Sequence, residues 1–147
     1  MGLGSIYSVY TILLCHSFLK GIHIYYIGVL ITGGNGNKAE IYLPDSNTSC
    51  VLPGLPEERN YHTQDGDLAC GGLSSSYLYN TQKSCVKWTN GAWTRSHNLR
   101  EERSFHVSWV TASGVYLIGG WGSFRTSELI KEDGSVEEGF NLKYNTW

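Results

Sequence analysis

The 147-residue chain carries 18 glycines, five tryptophans, ten tyrosines and four phenylalanines, a composition suited to short strands, frequent turns and stacked sheets. Its formal net charge is -2 and its 11 Lys and Arg are scattered, which argues against a phosphate-binding surface and a nucleic-acid partner. Outside the N-terminus no window shows the sustained 3.6-residue apolar period of an amphipathic helix, so an all-β chain is expected.

Residues 1–21 form an apolar leader. Between Met1 and Asn37 the only charged side chain is Lys20, and Ile6 to Leu19 is a 14-residue apolar run. That length suits a signal-peptide core better than a bilayer span, which needs about 20 apolar residues. No Lys or Arg precedes the run, and no clean small-x-small cleavage site follows it. A cleaved secretion signal, an uncleaved anchor extending through Lys20 and a non-native leader in place of a first strand all stay open. Only the uncleaved form brings the chain to a membrane.

Past the leader, three short apolar runs each stop on a glycine pair: VLITGG at Val29 to Gly34, DLACGG at Asp67 to Gly72 and VYLIGGW at Val115 to Trp121. One supersecondary unit used several times leaves this pattern. In the first unit, strands are expected at Val29 to Thr32, Ala39 to Tyr42 and Ser49 to Leu52, with His23 to Tyr26 as a poor first strand and Pro44-Asp45 at a turn. GNGNKA, Gly34 to Ala39, matches a dinucleotide fingerprint, but AEIYLPDS continues as strand and Pro44 excludes the helix that would hold a pyrophosphate. Asn47-Thr48-Ser49 is a glycosylation acceptor in a predicted turn, usable only in a secreted chain.

The second and third units share what precedes the glycines. LPEERNYH (Leu55 to His62) and NLREERSFH (Asn98 to His106) both contain Glu-Glu-Arg, two residues and a histidine, aligning Arg59 with Arg103 and His62 with His106. Third strands follow at Ser84 to Trp88 and Ser127 to Ile130. Asn90-Gly91 and Asp133-Gly134 are favoured two-residue hairpin turns. LSSSYLYNTQK, Leu73 to Lys83, reads as an inserted loop, which accounts for the unequal spacing of 38 and 48 residues between Gly34, Gly72 and Gly120.

The R-x-x-H entry, the aliphatic strand ending in Gly-Gly, the third strand and Trp93 on the fourth together resemble the kelch repeat over about residues 22–146. The structural positions of that resemblance are Gly33, Gly34, Arg59, His62, Gly71, Gly72, Trp93, Arg103, His106, Gly119 and Gly120. It implies an all-β, partial kelch-type β-propeller of about three four-stranded antiparallel blades, at about 22–55, 59–97 and 103–144 within a repeat region 22–147. The family's fourth-strand tryptophan stands only at Trp93, with Cys50 or Val51 near its place in the first unit and Phe140 in the third. Propellers close with about four to eight blades, so the expectation is a fragment of a longer propeller, or a chain whose open edges are covered by another copy.

Of the four cysteines, Cys70 ends a second strand and Cys85 begins the following third strand, which makes a cross-strand bridge plausible; the duller reading is three buried small hydrophobes. If the two pair, Cys50 is left over for a partner in a missing blade. The leader and the cysteines together point to a secreted or extracellular protein.

No catalytic, cofactor or metal residues are assigned. His62 and His106 recur in successive blades on different sheets, so with Arg59 and Arg103 they are expected to hydrogen-bond backbone at the blade entries. The pairs Glu57-Glu58, Glu101-Glu102 and Glu137-Glu138 are expected to be solvated. Tyr77, Tyr79 and Trp121 lie in loops where aromatics are available for contact. The resemblance implies a non-catalytic scaffold that binds a protein partner; the alternative is a piece of a secreted copper enzyme similar to galactose oxidase.

Overall fold

A computed structural model describes residues 17–19, 22–24, 28–34, 36–74 and 80–145. Within them the chain is all-β, and its strands form propeller-like antiparallel blades. A short pair, β1 (Ser17–Leu19) and β2 (Ile22–Ile24), makes a two-stranded sheet of its own. The first blade contains β3 (Val29–Thr32), β4 (Ala39–Leu43) and β5 (Thr48–Leu52). The second contains β6 (Thr63–Asp65), β7 (Leu68–Cys70), β8 (Ser84–Thr89) and β9 (Ala92–Asn98). The third contains β10 (Val107–Thr111), β11 (Gly114–Ile118), β12 (Ser127–Ile130) and β13 (Val136–Glu138). Each blade is a meander, with strands paired in chain order.

Alternating side chains build these strands. Along β4, Ala39, Ile41 and Leu43 are buried while Glu40 and Tyr42 are only half-buried, the period of two that a pleated strand imposes. Leu30, Ala39, Ile41 and Leu43 of the first blade pack against Ala69, Val86 and Trp93 of the second. A second apolar layer joins Cys70 and Cys85 to Leu117 and Ile130 of the third blade. Burying each such aliphatic side chain contributes about 1.5–3 kcal/mol, so the faces between blades hold the array together.

The turns explain where strands end. Asn90 and Gly91 both take positive φ, 52° and 84°, which closes β8 and β9 with a two-residue turn whose twist matches the strands. Asp133-Gly134 departs from its expectation. Ile130 pairs with Val136, leaving five residues between the strands, and Gly134 N donates to Lys131 O at 2.9 Å. The Asp133 carboxylate accepts from Ser135 N and Oγ at 2.8 and 2.6 Å, and those bonds hold the wider loop.

Two further expectations need correction. Of the poor first strand expected at His23 to Tyr26 in the first blade, the described residues His23 and Ile24 belong to β2, which pairs with β1, and Tyr25 and Tyr26 lie outside the described residues. The described part of that blade therefore has three strands. Pairing register also moves the counterparts of Trp93. Trp93 lies opposite Trp88; the equivalent positions are Ser49, opposite Tyr42, and Val136, opposite Ile130. Cys50 instead pairs with Ile41 and packs on the core, Val51 is exposed, and Phe140 lies beyond β13 with its ring 5.7 Å from Tyr116.

Candidate functional site

The glycine pairs form the joints between blades. A Cβ on Gly33 would lie 2.3 Å from Arg59 O and 2.6 Å from the His62 ring, and one on Gly71 would lie 2.5 Å from Arg103 O and 2.8 Å from the His106 ring. The first glycine of a pair thus leaves room for the R-x-x-H segment of the following blade. The second admits its own blade's backbone: a Cβ on Gly72 would meet Asn60 O at 2.7 Å, and one on Gly120 would meet Ser104 O at 2.5 Å. All four glycines have φ between 65° and 95°, a region costly for any side chain.

Arg59 and Arg103 are 0% exposed. Arg59 donates to Gly71 O at 2.7 Å, to Ser84 O at 2.8 Å and to Ser84 Oγ at 2.6 Å. Arg103 donates to Gly119 O at 3.0 Å, Thr126 O at 2.9 Å and Thr126 Oγ1 at 2.8 Å, and its Nε donates to the buried Glu128 carboxylate at 2.9 Å. Glu128 also accepts from the Arg100 and Glu101 amides at 2.6 and 3.1 Å. Each guanidinium therefore ties the strand-ending glycine to the start of the third strand.

The histidines bond differently from expectation. His62 Nε2 shares a 2.8 Å hydrogen bond with Thr32 Oγ1, and His106 Nε2 shares one with Thr63 Oγ1, in each case a hydroxyl of the preceding blade rather than backbone. Burial, reinforced by the neighbouring arginine, pushes the His62 pKa down to about 4 and that of His106 to about 3. Both are neutral cross-blade struts at physiological pH. All three carboxylate runs are partly engaged as well: Glu57 pairs with Arg95, Glu101 accepts from Thr126 Oγ1 at 2.5 Å, and Glu137 and Glu138 pair with Lys131 and Arg100.

Between each arginine and histidine sits an aromatic residue that the sequence reading passed over. Tyr61 and Phe105 have φ of 55° and 57°, and their rings stack at 4.0 Å across the joint, with Phe105 N donating to Tyr61 O at 2.9 Å. They are 40% and 45% exposed. Trp121, 47% exposed, is bridged through its backbone to Ser104 beside Phe105, and its ring lies edge-on to Phe124 at 5.6 Å. A positive φ on a bulky residue is a strained arrangement, and such strain concentrates where a side chain is needed. The signal was the shared third position of R-N-Y-H and R-S-F-H. Tyr77 and Tyr79 lie outside the described residues.

Trp93 is buried in the core with its ring 5.4 Å from Trp88. Asn47 occupies the exposed β4–β5 turn at φ 52°, where its carbonyl accepts from the Tyr42 hydroxyl at 3.0 Å. Cys70 and Cys85 face each other in register and are disulfide-bonded, with Cα atoms 4.2 Å apart. Cys50 is disulfide-bonded too, so it is not left over for a missing blade. A bulge sets Ser96 and His97 against Cys85, and His97 comes within 4.8 Å of both sulfurs. This is the one potential metal-ligand cluster among the described residues, and the disulfide keeps both sulfurs from acting as thiolates.

No protein-family model matches the chain, and no curated protein matches it.

Proposed function

We propose that this chain is a non-catalytic kelch-type scaffold, part of a longer secreted propeller or of an assembly that completes one, and that it binds a protein partner through the ledge formed by Tyr61, Phe105 and Trp121. The carrying observation is the exposed, stacked Tyr61–Phe105 pair held at positive φ in two successive blades. Rigid aromatic side chains supply large contact area at low entropic cost, and interface hot spots are enriched in them. The repeated Gly-Gly joints and buried arginines support the kelch resemblance. The Cys70–Cys85 disulfide and bonded Cys50 support an oxidising compartment, where Asn47 is an available glycan acceptor.

A photo-crosslinking phenylalanine analogue tests the ledge directly. At Phe105 or Trp121 it is expected to trap one discrete protein from the extracellular fluid of the producing cells, and at Ser46, on the exposed β4–β5 turn, it is expected to trap none. Equal yields at all three positions overturn the assignment.

A further inference from the structure

Pairing register aligns Glu40, Val86 and Glu128, which lie opposite Ile31, Ala69 and Leu117 in their respective blades. It likewise aligns Lys38, Ser84 and Thr126, whose carbonyls accept from the amides of Gly33, Gly71 and Gly119 at 2.8, 3.1 and 3.0 Å. In the third blade these positions form a complete guanidinium receptor, the carbonyls of Gly119 and Thr126 and the Glu128 carboxylate all accepting from Arg103. In the second blade the receptor lacks its carboxylate. Val86 stands in its place, and Arg59 Nε is buried with no hydrogen-bond partner.

The first blade has the reverse composition. Gly33, Lys38 and the Glu40 carboxylate are present, and they line a concavity of about 520 Å³ with Ile31 and Val51 on its apolar walls. Among the described residues no arginine donates to this set: Arg59 and Arg103 occupy their own blades, Arg95 pairs with Glu57, Arg100 with Glu138, and Arg125 donates to Leu142 O. We infer that the concavity on the first blade is a binding site for an arginine side chain presented by a partner protein, held by the carbonyls of Gly33 and Lys38 and the carboxylate of Glu40.

The chemistry is specific to arginine. A planar guanidinium can reach two carbonyls and a carboxylate at once, as Arg103 does, whereas a lysine ammonium is a point charge that matches this spread poorly. A second copy of the chain is a poor donor, because both of its R-x-x-H arginines are fully buried and its other arginines are engaged. The site shares no lining residue with the aromatic ledge, so either assignment can fail alone.

The test titrates the whole chain with a fluorescently labelled peptide, LPEERNYH, which reproduces Leu55 to His62 and carries a single arginine. Saturable binding is expected, weakened about tenfold or more when the peptide arginine becomes lysine and lost when it becomes alanine, in keeping with a charge-assisted hydrogen bond. Glu40→Gln in the chain is expected to weaken the parent peptide about tenfold or more, with the thermal transition unchanged. No binding of the parent peptide overturns the inference, as does equal binding of the three peptides. Equal binding by the folded Glu40→Gln chain does the same. The peptide series needs no variant of the chain, so it decides the matter even where Glu40→Gln does not fold.

Discussion

Arg59 and Arg103 are buried alike, yet only Arg103 meets a carboxylate, and that difference sets what each site tolerates. Burial first, with Arg95 adding and Glu57 opposing, pushes the Arg59 pKa down to about 10, which leaves it charged at neutral pH. Removing one partner of a buried pair leaves the other charge uncompensated, at a cost of about 3–5 kcal/mol. Glu128→Ala is therefore expected to destabilise the fold by about that amount in urea denaturation. His62 and His106 carry the pH dependence. Their folded pKa values, about 4 and about 3, lie below the ordinary 6.5, so the unfolded chain takes up protons that the folded chain refuses. Stability is full above pH 6.5 and declines below it, down to about pH 4 for His62 and about pH 3 for His106. The His62 contribution is on the order of 3 kcal/mol. His62→Gln is expected to flatten the plot of unfolding free energy against pH between 6.5 and 4.

Among the elements, the glycine pairs are the strictest positions. Gly71→Ala places a methyl group against the Arg103 carbonyl at φ 65°, whereas Gly91→Ala has the same backbone handicap and nothing within 4 Å. Thermal unfolding is expected to show Gly71→Ala the costlier by more than about 1 kcal/mol. Much of this level was legible in sequence. The strands expected at Val29 to Thr32, Ala39 to Tyr42 and Ser49 to Leu52 lie within one residue of β3, β4 and β5, because aliphatic alternation and turn residues are local signals. The Asn90-Gly91 turn was equally legible. The Asp133-Gly134 loop was not, because its extra residues are held by Asp133 contacts to Ser135 that a dipeptide does not reveal. Nor did spacing place the counterpart of Trp93 in the other blades, or align Glu40 with Glu128. Both alignments depend on cross-strand register, which is fixed only when strands pair. The positive φ of Tyr61 and Phe105 was hidden for a similar reason, since aromatic identity gives no hint of a left-handed backbone.

At the scale of the whole chain, the two outermost blade faces differ. The third blade exposes Trp109 and Phe140 on either side of Tyr116, ring to ring at 5.8 and 5.7 Å, while the first exposes Val51 beside its concavity. Exposed apolar groups collected in this way mark association surfaces. Sedimentation velocity is expected to show concentration-dependent self-association that Trp109→Lys reduces; an unchanged profile for the variant removes that face from the interface. The joints carry a further consequence. A Gly-Gly strand end is closed by the R-x-x-H segment of the next blade, so each blade contributes half of every boundary it shares, and stability passes between neighbours as in a one-dimensional lattice. Among the described residues, only the second blade has both boundaries filled in this way. Native-state hydrogen exchange is expected to find the slowest amides in β7 and β8, with faster opening in β4 and β12, so the chain unravels inward from its two ends.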